Sequence, residues 1–308
     1  MSTIEKAAEK LRAARPEPGS MTHVDPGLQI DTAPAQALPT IERLQERSRE
    51  PERPMEPASL WPVDLRALEK AGILTADRAA AGRLADELRR VKRSLLSNAI
   101  GKGTKPLVHP ERIAITSAEP SEGKTFIAVN LALSLARERD FEVLLVDGDV
   151  AKSDATRAFG LDGRPGLMDT LEDERYRPTD VIVHTDVPNL LVVPAGTHLP
   201  LGTELFGSLR MQYVLEQLGG RNPRRLVVFD SPPLLATSEA QALVSHMGQI
   251  LVVVASGRTR RQTVNTALQG LNDSQYVGMV LNMSHMPASE NHYDSYYAQG
   301  SNDHEGAA

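Results

Sequence analysis

A short apolar strand that leads through a polar turn directly into a helix constrains this chain more than any other feature. It covers residues 113–125, with the sequence IAITSAEPSEGKT, and an apolar helix follows at once. The backbone N–H groups of such a turn, with the positive end of the new helix, form a binding site for phosphate oxygens. Gly123 allows the backbone to approach closely, Lys124 supplies a positive charge, and the Thr125 hydroxyl is a suitable Mg²⁺ ligand.

This pattern predicts that the loop and the start of the helix bind a nucleotide. The predicted contacts are Glu119, Ser121, Glu122, Gly123, Lys124, Thr125 and Phe126. The pattern departs from the usual one at Ala118, which stands where a glycine normally opens the loop, and alanine has less access to positive φ. The alternative is an ordinary turn between a strand and a helix, without a ligand.

Strand and helix patterns alternate from residue 107 to residue 283. Predicted strands cover residues 112–115, 142–146, 189–193, 225–229, 249–254 and 276–282. Predicted helices cover residues 124–139, 167–171, 203–218, 238–246 and 259–271. Several strands are continuous apolar runs, which is typical of strands buried on both faces. The pattern therefore predicts an α/β fold with a mostly parallel, doubly wound sheet covered by helices on both sides.

Two further apolar strands end in carboxylates. Asp147 and Asp149 follow one strand, and Asp230 follows another, before Pro232 and Pro233. Because ligands of open parallel sheets bind at the carboxyl ends of the strands, these acids are expected to face the same crevice as the loop. There a carboxylate can hold Mg²⁺ or accept a proton. A single acid at such a position is often only a helix cap, but three acids at two strand ends favour a metal site.

Composition excludes several classes of function. The chain has 308 residues, no cysteine and a formal net charge of −6, so disulfides and thiolate metal sites are impossible and general nucleic-acid binding is not expected. The longest apolar runs are too short to cross a bilayer, and the amino-terminal residues lack the apolar segment of a signal peptide. We therefore expect a cytoplasmic protein that reaches the inner face of the membrane only through a partner.

The chain divides into four predicted regions. Residues 1–15 form a short amphipathic helix, and residues 16–76 are a proline-rich, mostly disordered linker. Residues 77–285 form the nucleotide-binding domain, which opens with a helix over residues 77–99. Residues 286–308 are a flexible polar tail that contains Tyr293, Tyr296 and Tyr297.

Taken together, three motifs resemble those of the bacterial tyrosine kinases, the P-loop autokinases of exopolysaccharide systems. They are residues 117–125 (SAEPSEGKT), 144–149 (LLVDGD) and 227–233 (VVFDSPP). Residues 4–7 and 87–96 are similar to the exosortase-associated branch of that family. The resemblance covers about residues 78–297 and implies a sheet of the P-loop NTPase type, with ATP and Mg²⁺ as cofactors.

By resemblance, Lys124 and Thr125 bind the ATP phosphates and Mg²⁺, Asp149 and Asp230 help to hold the metal, and Asp147 is the candidate base. The catalytic set is then Lys124, Asp147 and Asp149, and the metal set is Thr125, Asp149 and Asp230. Asn282 ends the last strand, where related ATPases often place an asparagine near adenine, although a turn residue at the strand end is the alternative. Ala151 replaces an arginine that is frequent in the family two residues beyond the second acid of the middle motif.

The resemblance also implies an assembly and partners. Glu87, Arg90 and Arg93 match the family's oligomerisation motif, so the helix would contact the neighbour's active site in a ring, although an intrahelical ion pair is the alternative. Tyr293, Tyr296 and Tyr297 would be phosphorylated in trans. The implied partners are a transmembrane chain-length or co-polymerase adaptor and a protein-tyrosine phosphatase, in the regulation of exopolysaccharide synthesis and export.

Two other functions stay open from the sequence. A positioning ATPase of the ParA or MinD type shares the sheet and the acidic motifs, but it usually carries a lysine early in the loop, where this chain has Glu119. A non-catalytic nucleotide-binding scaffold is compatible with the departures at Ala118 and Ala151. Tyrosine modification distinguishes the kinase from both.

Overall fold

The computed structural model describes residues 60–197, 202–219 and 222–284. Within them, a central sheet is built from β1 (Arg112–Ser117), β2 (Glu142–Asp147), β3 (Val183–His184), β4 (Leu190–Val193), β5 (Arg225–Asp230), β6 (Gln249–Ala255) and β7 (Tyr276–Asn282). The predicted helix over residues 1–15 and the three tail tyrosines, Tyr293, Tyr296 and Tyr297, lie outside the described residues.

The sheet has the strand order β3-β4-β2-β5-β1-β6-β7, and every pair is parallel except β3 with β4. Strands β1, β2 and β5 lie side by side in the middle of the sheet, with almost all of their residues buried. This confirms the predicted mostly parallel α/β sheet, because apolar runs without alternation are stable only where both faces of a strand are covered.

Helices cover both faces of the sheet. They are α1 (Leu65–Lys70), α2 (Arg78–Ala99), α3 (Lys124–Leu135), α4 (Asp154–Ala158), α5 (Leu167–Glu172), α6 (Gly202–Phe206), α7 (Leu209–Gly219), α8 (Ser238–Val244) and α9 (Arg261–Leu268). One apolar cluster lies between the sheet and α1, α2 and α3, and a second lies under α5, α7 and α8. No helix in the described part of the chain combines the length and the apolar character that crossing a bilayer requires.

The helix bounds differ from the predicted ones in several places. The predicted helix over residues 203–218 is divided into α6 and α7, because Gly207 and Ser208 interrupt it and the Ser208 hydroxyl bonds the Leu205 carbonyl oxygen. Helix α3 ends at Leu135 rather than at residue 139, α8 ends at Val244 rather than at residue 246, and α9 covers Arg261–Leu268 rather than residues 259–271. These differences are local, and the order of strands and helices around the loop after β1 is unaffected.

The folded part of the chain begins before the predicted boundary at residue 77. Leu68 of α1 is fully buried, Ile73 is also buried, and both pack in the cluster beneath α2 and α3. The side chain of Asn130 on α3 donates a hydrogen bond of 2.6 Å to the Ile73 carbonyl oxygen. Composition favoured a linker here, since the few apolar residues become informative only when their partners in the folded chain are known.

Candidate functional site

Three adjacent strands end at the same place. Asp147 at the end of β2 lies directly opposite Asp230 at the end of β5, and the next strand, β1, leads into the glycine-lysine-threonine loop. The Ser231 N–H donates to the Ile115 carbonyl at 3.0 Å, and the Leu234 N–H donates to the Ser117 carbonyl at 2.8 Å. The turn that contains the two prolines is therefore fixed against the start of the loop.

The loop after β1 has the backbone geometry of an anion-binding turn. Gly123 adopts a φ of 91° and Ser121 a φ of 64°, whereas Ala118 is fully buried and is not among the described residues with positive φ. A Cβ atom on Gly123 would lie 2.1 Å from Asn282 Nδ2, at a φ of 91° that L-residues rarely adopt, so both the contact and the backbone favour glycine. The first turn of α3 has no side-chain cap, which leaves its N–H groups available for phosphate oxygens.

Glu122 supports this loop from the protein side. Its buried carboxylate accepts hydrogen bonds from the Glu119 N–H at 2.7 Å, from the Ala255 N–H at 3.2 Å and from the Thr259 hydroxyl. The Asn282 side chain donates to the Glu122 carbonyl oxygen at 2.9 Å. The side chains of Glu122 and Asn282 thus hold the loop in shape, and any contact of residue 122 with phosphate would come from its backbone.

Lys124 and Asp149 form an ion pair inside the site. The distance from Lys124 Nζ to Asp149 Oδ2 is 3.3 Å, and each side chain is only 5% exposed. The lysine at the head of α3 is therefore held beside the acid that follows β2. An entering phosphate group would compete with Asp149 for the ammonium group, because both are anions within its reach.

Asp147 and Asp230 have unsatisfied oxygen atoms. Asp147 Oδ2 accepts two hydrogen bonds of 2.7 Å from the backbone N–H and the hydroxyl of Thr156, while Asp147 Oδ1 and both oxygens of Asp230 are buried without hydrogen-bond partners among the described residues. Buried polar atoms are normally paired, so three unpaired oxygens at one place indicate a site built for something that binds there.

Burial and the charges of neighbouring acids raise the pKa values of these two acids. Burial raises the pKa of Asp147 to about 6. The hydrogen bonds from Thr156 and the nearby backbone N–H of Asp149 oppose the rise, and the charge of Asp149 adds to it. Burial and then the charge of Asp147 raise the pKa of Asp230 well above its ordinary value, and the Thr125 side chain and Lys124 only moderate that rise. The Thr125 hydroxyl is near enough to lower this pKa, but its geometry falls short of a hydrogen bond.

The donor set fits Mg²⁺ shared with a phosphate, and it does not fit a cation enclosed by protein alone. No group of three or more His, Cys, Asp or Glu side chains could enclose a metal within the described residues. Mg²⁺ usually takes one or two carboxylates and completes its octahedron with phosphate oxygens and water. The unpaired oxygens of Asp230, with the Thr125 hydroxyl and Asp149 nearby, meet that requirement.

The remaining predicted residues lie as follows. Glu119 is exposed at the mouth of the loop, and Phe126 is partly buried against the core. Glu87, Arg90 and Arg93 are exposed on α2, away from its buried stripe of Leu88 and Leu95, and no ion pair joins the three within the described residues. They are available to a neighbouring molecule, whereas Arg89 on the same helix pairs with Asp86.

Sequence reasoning missed Thr156 and Trp61. Thr156 follows Asp147 by nine residues in a five-residue helix, and no local pattern marks it, because its role depends on how the chain folds back to β2. Trp61 falls within the predicted linker of residues 16–76, but its indole N–H donates to the Phe159 carbonyl oxygen at 2.9 Å. The chain contains a single tryptophan, which is a weak signal of a specific contact.

A pocket of about 410 Å³ lies at the opposite end of the sheet, beside the amino ends of the strands. Its lining includes His109, Arg112, Glu216, His246 and Gln275. Arg112 is largely buried. Its guanidinium group lies close to Glu111, and the charge of Glu216 favours its protonated form. Since none of the predicted site residues lines this pocket, it is separate from the chemistry at the strand ends.

Comparison with known proteins places this site in a family. The family model described as AAA domain matches residues 111–275, a little over half of the chain. The tyrosine-protein kinase CpsD of Streptococcus agalactiae is 31% identical over 173 residues, which span 55% of this chain and 74% of CpsD. The succinoglycan biosynthesis transport protein ExoP of Rhizobium meliloti is 35% identical over 179 residues, 56% of this chain.

The chain spans less than a quarter of the length of some curated relatives that it matches. The shares are 22% of ExoP and 23% of a tyrosine-protein kinase of Acinetobacter johnsonii. Among solved structures, the kinase domain of the Escherichia coli tyrosine kinase ETK superposes with a TM-score of 0.58 at 26% identity, covering 82% of this chain and 89% of that domain. Fold and sequence therefore indicate the same family.

Proposed function

Because the chain belongs to the AAA domain family and, within it, to the bacterial tyrosine-protein kinases, we propose that it transfers the γ-phosphate of ATP to tyrosines of a neighbouring copy. The acceptors are Tyr293, Tyr296 and Tyr297, in the polar tail. The observation that supports this most is the convergence of the Lys124–Asp149 ion pair with the unpaired oxygens of Asp147 and Asp230 at one end of the sheet.

The phosphate chain would be held mainly by backbone groups and by Lys124. The turn with positive φ at Ser121 and Gly123 presents N–H groups, and the uncapped start of α3 adds its positive end. On ATP binding, Lys124 would exchange Asp149 for the β- and γ-phosphates. This exchange would release Asp149 to bind a cation. ATP binding would thereby bring both Lys124 and the cation to the phosphates.

Asp147 is the candidate base for the tyrosine hydroxyl. Its Oδ2 is fully engaged by Thr156, and its Oδ1 is free to accept a proton. A carboxyl group whose pKa is raised to about 6 is a better proton acceptor than an ordinary aspartate, and it is still largely ionised at neutral pH. The protein then needs to contribute mostly position and charge, because phosphoryl transfer requires little covalent chemistry from the enzyme.

Thr125, Asp149 and Asp230 would hold Mg²⁺ together with the phosphate oxygens. When bound, the cation supplies charge neutralisation at the β- and γ-phosphates. Asp230 would contribute an oxygen that has no other partner in the described part of the protein, directly or through water. The free-energy cost of burying the Asp230 carboxylate beside Asp147 would then be offset only when nucleotide and Mg²⁺ are bound.

Transfer between copies gives the sharpest test. A Lys124→Met variant that keeps its tyrosines is mixed with a variant that has an intact site and Tyr293→Phe, Tyr296→Phe and Tyr297→Phe. After Mg-ATP is added, mass spectrometry should find phosphotyrosine on the Lys124→Met chain only in the mixture. Lys102→Met removes an exposed lysine outside the site and should behave as wild type.

An unmodified Lys124→Met chain in that mixture would contradict transfer in trans. If wild-type protein with Mg-ATP gained no phosphotyrosine but still dimerised on ATP, the positioning ATPase would replace the kinase as the best proposal. If it bound Mg-ATP without turnover or dimerisation, a nucleotide-binding scaffold would remain.

For the cellular setting, we propose that the kinase regulates exopolysaccharide synthesis or export from the inner face of the cell membrane. One relative is named for succinoglycan biosynthesis and transport, which supports this setting. The proposed partners are a transmembrane chain-length or co-polymerase adaptor and a protein-tyrosine phosphatase that reverses the modification. Co-fractionation with membranes only when the adaptor is present would support recruitment, and membrane association that does not depend on the adaptor would contradict it.

A further inference from the structure

Asp147 is held by a single residue of the short helix α4. The backbone N–H and the hydroxyl of Thr156 both donate to Oδ2 of Asp147, each at 2.7 Å. The same hydroxyl oxygen accepts a hydrogen bond of 2.9 Å from the Ala195 N–H, just after β4. Thr156 is 5% exposed, so water does not compete for these bonds. The threonine therefore joins the end of β2 to the end of β4 through the carboxylate.

This arrangement distinguishes the two oxygens of Asp147. Because Oδ2 accepts both donors of Thr156, the carboxylate plane is fixed, and Oδ1 is the only oxygen left for a reacting proton. A carboxylate held by one donor could rotate about its terminal torsion, since such sp³–sp² torsions have broad preferences. Two donors from one residue prevent that rotation.

The other end of α4 is held by the segment that precedes α1. The Trp61 indole N–H donates to the carbonyl oxygen of Phe159, the residue that follows α4, at 2.9 Å. The Arg164 guanidinium lies 5.0 Å from the centre of the Trp61 ring. Trp61 is itself fixed by backbone hydrogen bonds to His184 at 2.7 Å and from Asp186 at 3.0 Å. Helix α4 is thus held by Asp147 near its beginning and by Trp61 at its end.

We propose that Thr156 is a positioning residue that orients Asp147 so that Oδ1 faces the acceptor hydroxyl, and that Trp61 maintains this orientation by fixing the end of α4. The inference rests on the proposed kinase function. It adds Thr156, which lies outside the three motifs, to the residues that support catalysis. It also connects the segment before α1 to the carboxylate of Asp147. Thr156 touches neither substrate nor phosphate and acts only through Asp147.

The test compares matched changes at two buried threonines in the full-length protein. Thr156→Val removes the hydroxyl at constant shape, and Thr156→Ser restores it. Thr170→Val is the control, because Thr170 is fully buried and its hydroxyl donates to the Leu167 carbonyl at 2.7 Å, outside the site. Single-turnover phosphorylation of the Lys124→Met acceptor chain reports the transfer rate, and a fluorescent ATP analogue reports nucleotide affinity.

Thr156→Val should slow transfer by about 10- to 100-fold, the range expected for displacing a catalytic group, with ATP affinity changed less than about twofold. Thr156→Ser should recover most of the rate, and Thr170→Val should transfer phosphate at the wild-type rate. Trp61→Phe, which lacks the indole N–H, should slow transfer in the same direction without weakening ATP binding. In a crystal structure of Thr156→Val, the Asp147 carboxylate should be rotated.

Wild-type transfer by Thr156→Val, or a loss that Thr170→Val reproduces, would overturn the positioning role and leave the kinase function standing. An unchanged rate in Trp61→Phe would overturn the contribution of Trp61. If wild-type protein itself transferred no phosphate to the acceptor chain, the proposed function would fail and this role with it. The wild-type control in the same assay therefore separates the two failures.

Discussion

At the scale of single residues, the site contains one buried carboxylate that is hydrogen-bonded and one that is not. Glu122 is buried and fully paired, because it shapes the loop. Asp230 is equally buried, and neither of its oxygens has a hydrogen-bond partner among the described residues, as expected if its partners bind with the proposed ligand. Unpaired buried charge destabilises the empty protein, so the function proposed here carries a measurable cost in stability.

Asp230→Asn should make the nucleotide-free protein more stable at pH 8. The raised pKa of Asp230 means that the folded state binds this proton more tightly than the unfolded state does. Its contribution to stability is therefore present at low pH and is lost as pH rises from the ordinary value of 3.8 through the folded-state pKa. With EDTA, we expect the variant's Tm to exceed wild type by at least about 3 °C at pH 8.

The difference should shrink as pH is lowered, because the wild-type carboxyl group then increasingly binds its proton. Asp140→Asn is the control, because Asp140 is 80% exposed and pairs with the exposed Arg224. A lower Tm for Asp230→Asn at pH 8, or a difference independent of pH, would show that the empty site tolerates this charge. Phosphate transfer should be lost in the same variant.

Gly123→Ala should impair both the loop and nucleotide binding. The new Cβ would lie 2.1 Å from Asn282 Nδ2, at a φ of 91° that costs an L-residue about 1–2 kcal/mol. We expect ATP affinity to fall at least about tenfold, and adding Asn282→Ala should relieve the clash but not the φ cost.

Gly82→Ala on α2 is the matched control, since its Cβ would meet nothing within 4 Å and should stabilise the helix by about 0.5–1 kcal/mol. Wild-type affinity in Gly123→Ala would contradict this account.

At the scale of elements, α1 belongs to the folded domain. Asp64 caps it by accepting hydrogen bonds from the N–H groups of Arg66 and Ala67, and its one buried side chain, Leu68, enters the main apolar cluster. A six-residue helix is not stable alone, so this contact maintains it. Because the segment that carries Trp61 leads into α1, the docking of α1 also keeps that segment beside α4.

Leu68→Ala should lower the free energy of unfolding by about 2–5 kcal/mol, because it leaves a cavity in a core that is otherwise filled. Leu65→Ala on the same helix should change it by no more than about 0.5 kcal/mol, because Leu65 is 52% exposed. Urea unfolding followed by circular dichroism measures both. Equal effects of the two substitutions would mean that α1 does not pack as described.

At the scale of the whole molecule, the proposed function needs a tyrosine that another copy supplies. The exposed charges Glu87, Arg90 and Arg93 lie on α2, which packs on α3, the helix that begins with Lys124. A neighbour bound to α2 would therefore contact the body that carries the site. We propose that, in a ring, such contacts allow the tail of one copy to reach the crevice of the next.

Replacing Glu87, Arg90 and Arg93 together by alanine should reduce the assembly to smaller species and slow phosphorylation in trans, without lowering Tm by more than about 2 °C. Arg66, Glu69 and Lys70, all exposed on α1, give a control triple with the same change in charge. Light scattering coupled to size exclusion measures the mass. A wild-type mass for the α2 triple would contradict its role in assembly.

The sequence by itself determined the parallel sheet, the phosphate loop and the acids at the strand ends. Continuous apolar strands, Gly123 and Lys124 are local signals whose meaning follows from backbone geometry and charge. The convergence of Asp147 and Asp230 followed from the general rule that parallel strands end at one edge, and their register confirms it.

Only the tertiary structure decided how that site is supported. Thr156 holds Asp147 across nine residues, Glu122 reaches Thr259 across 137, and Trp61 reaches Phe159 across 98. None of these contacts produces a periodic pattern of residues in the sequence, because each depends on the path of the chain between two elements. The same reason explains why the sequence predicts a linker over residues 60–76. The few apolar residues there can be identified as core residues only once the cluster that they pack into is known.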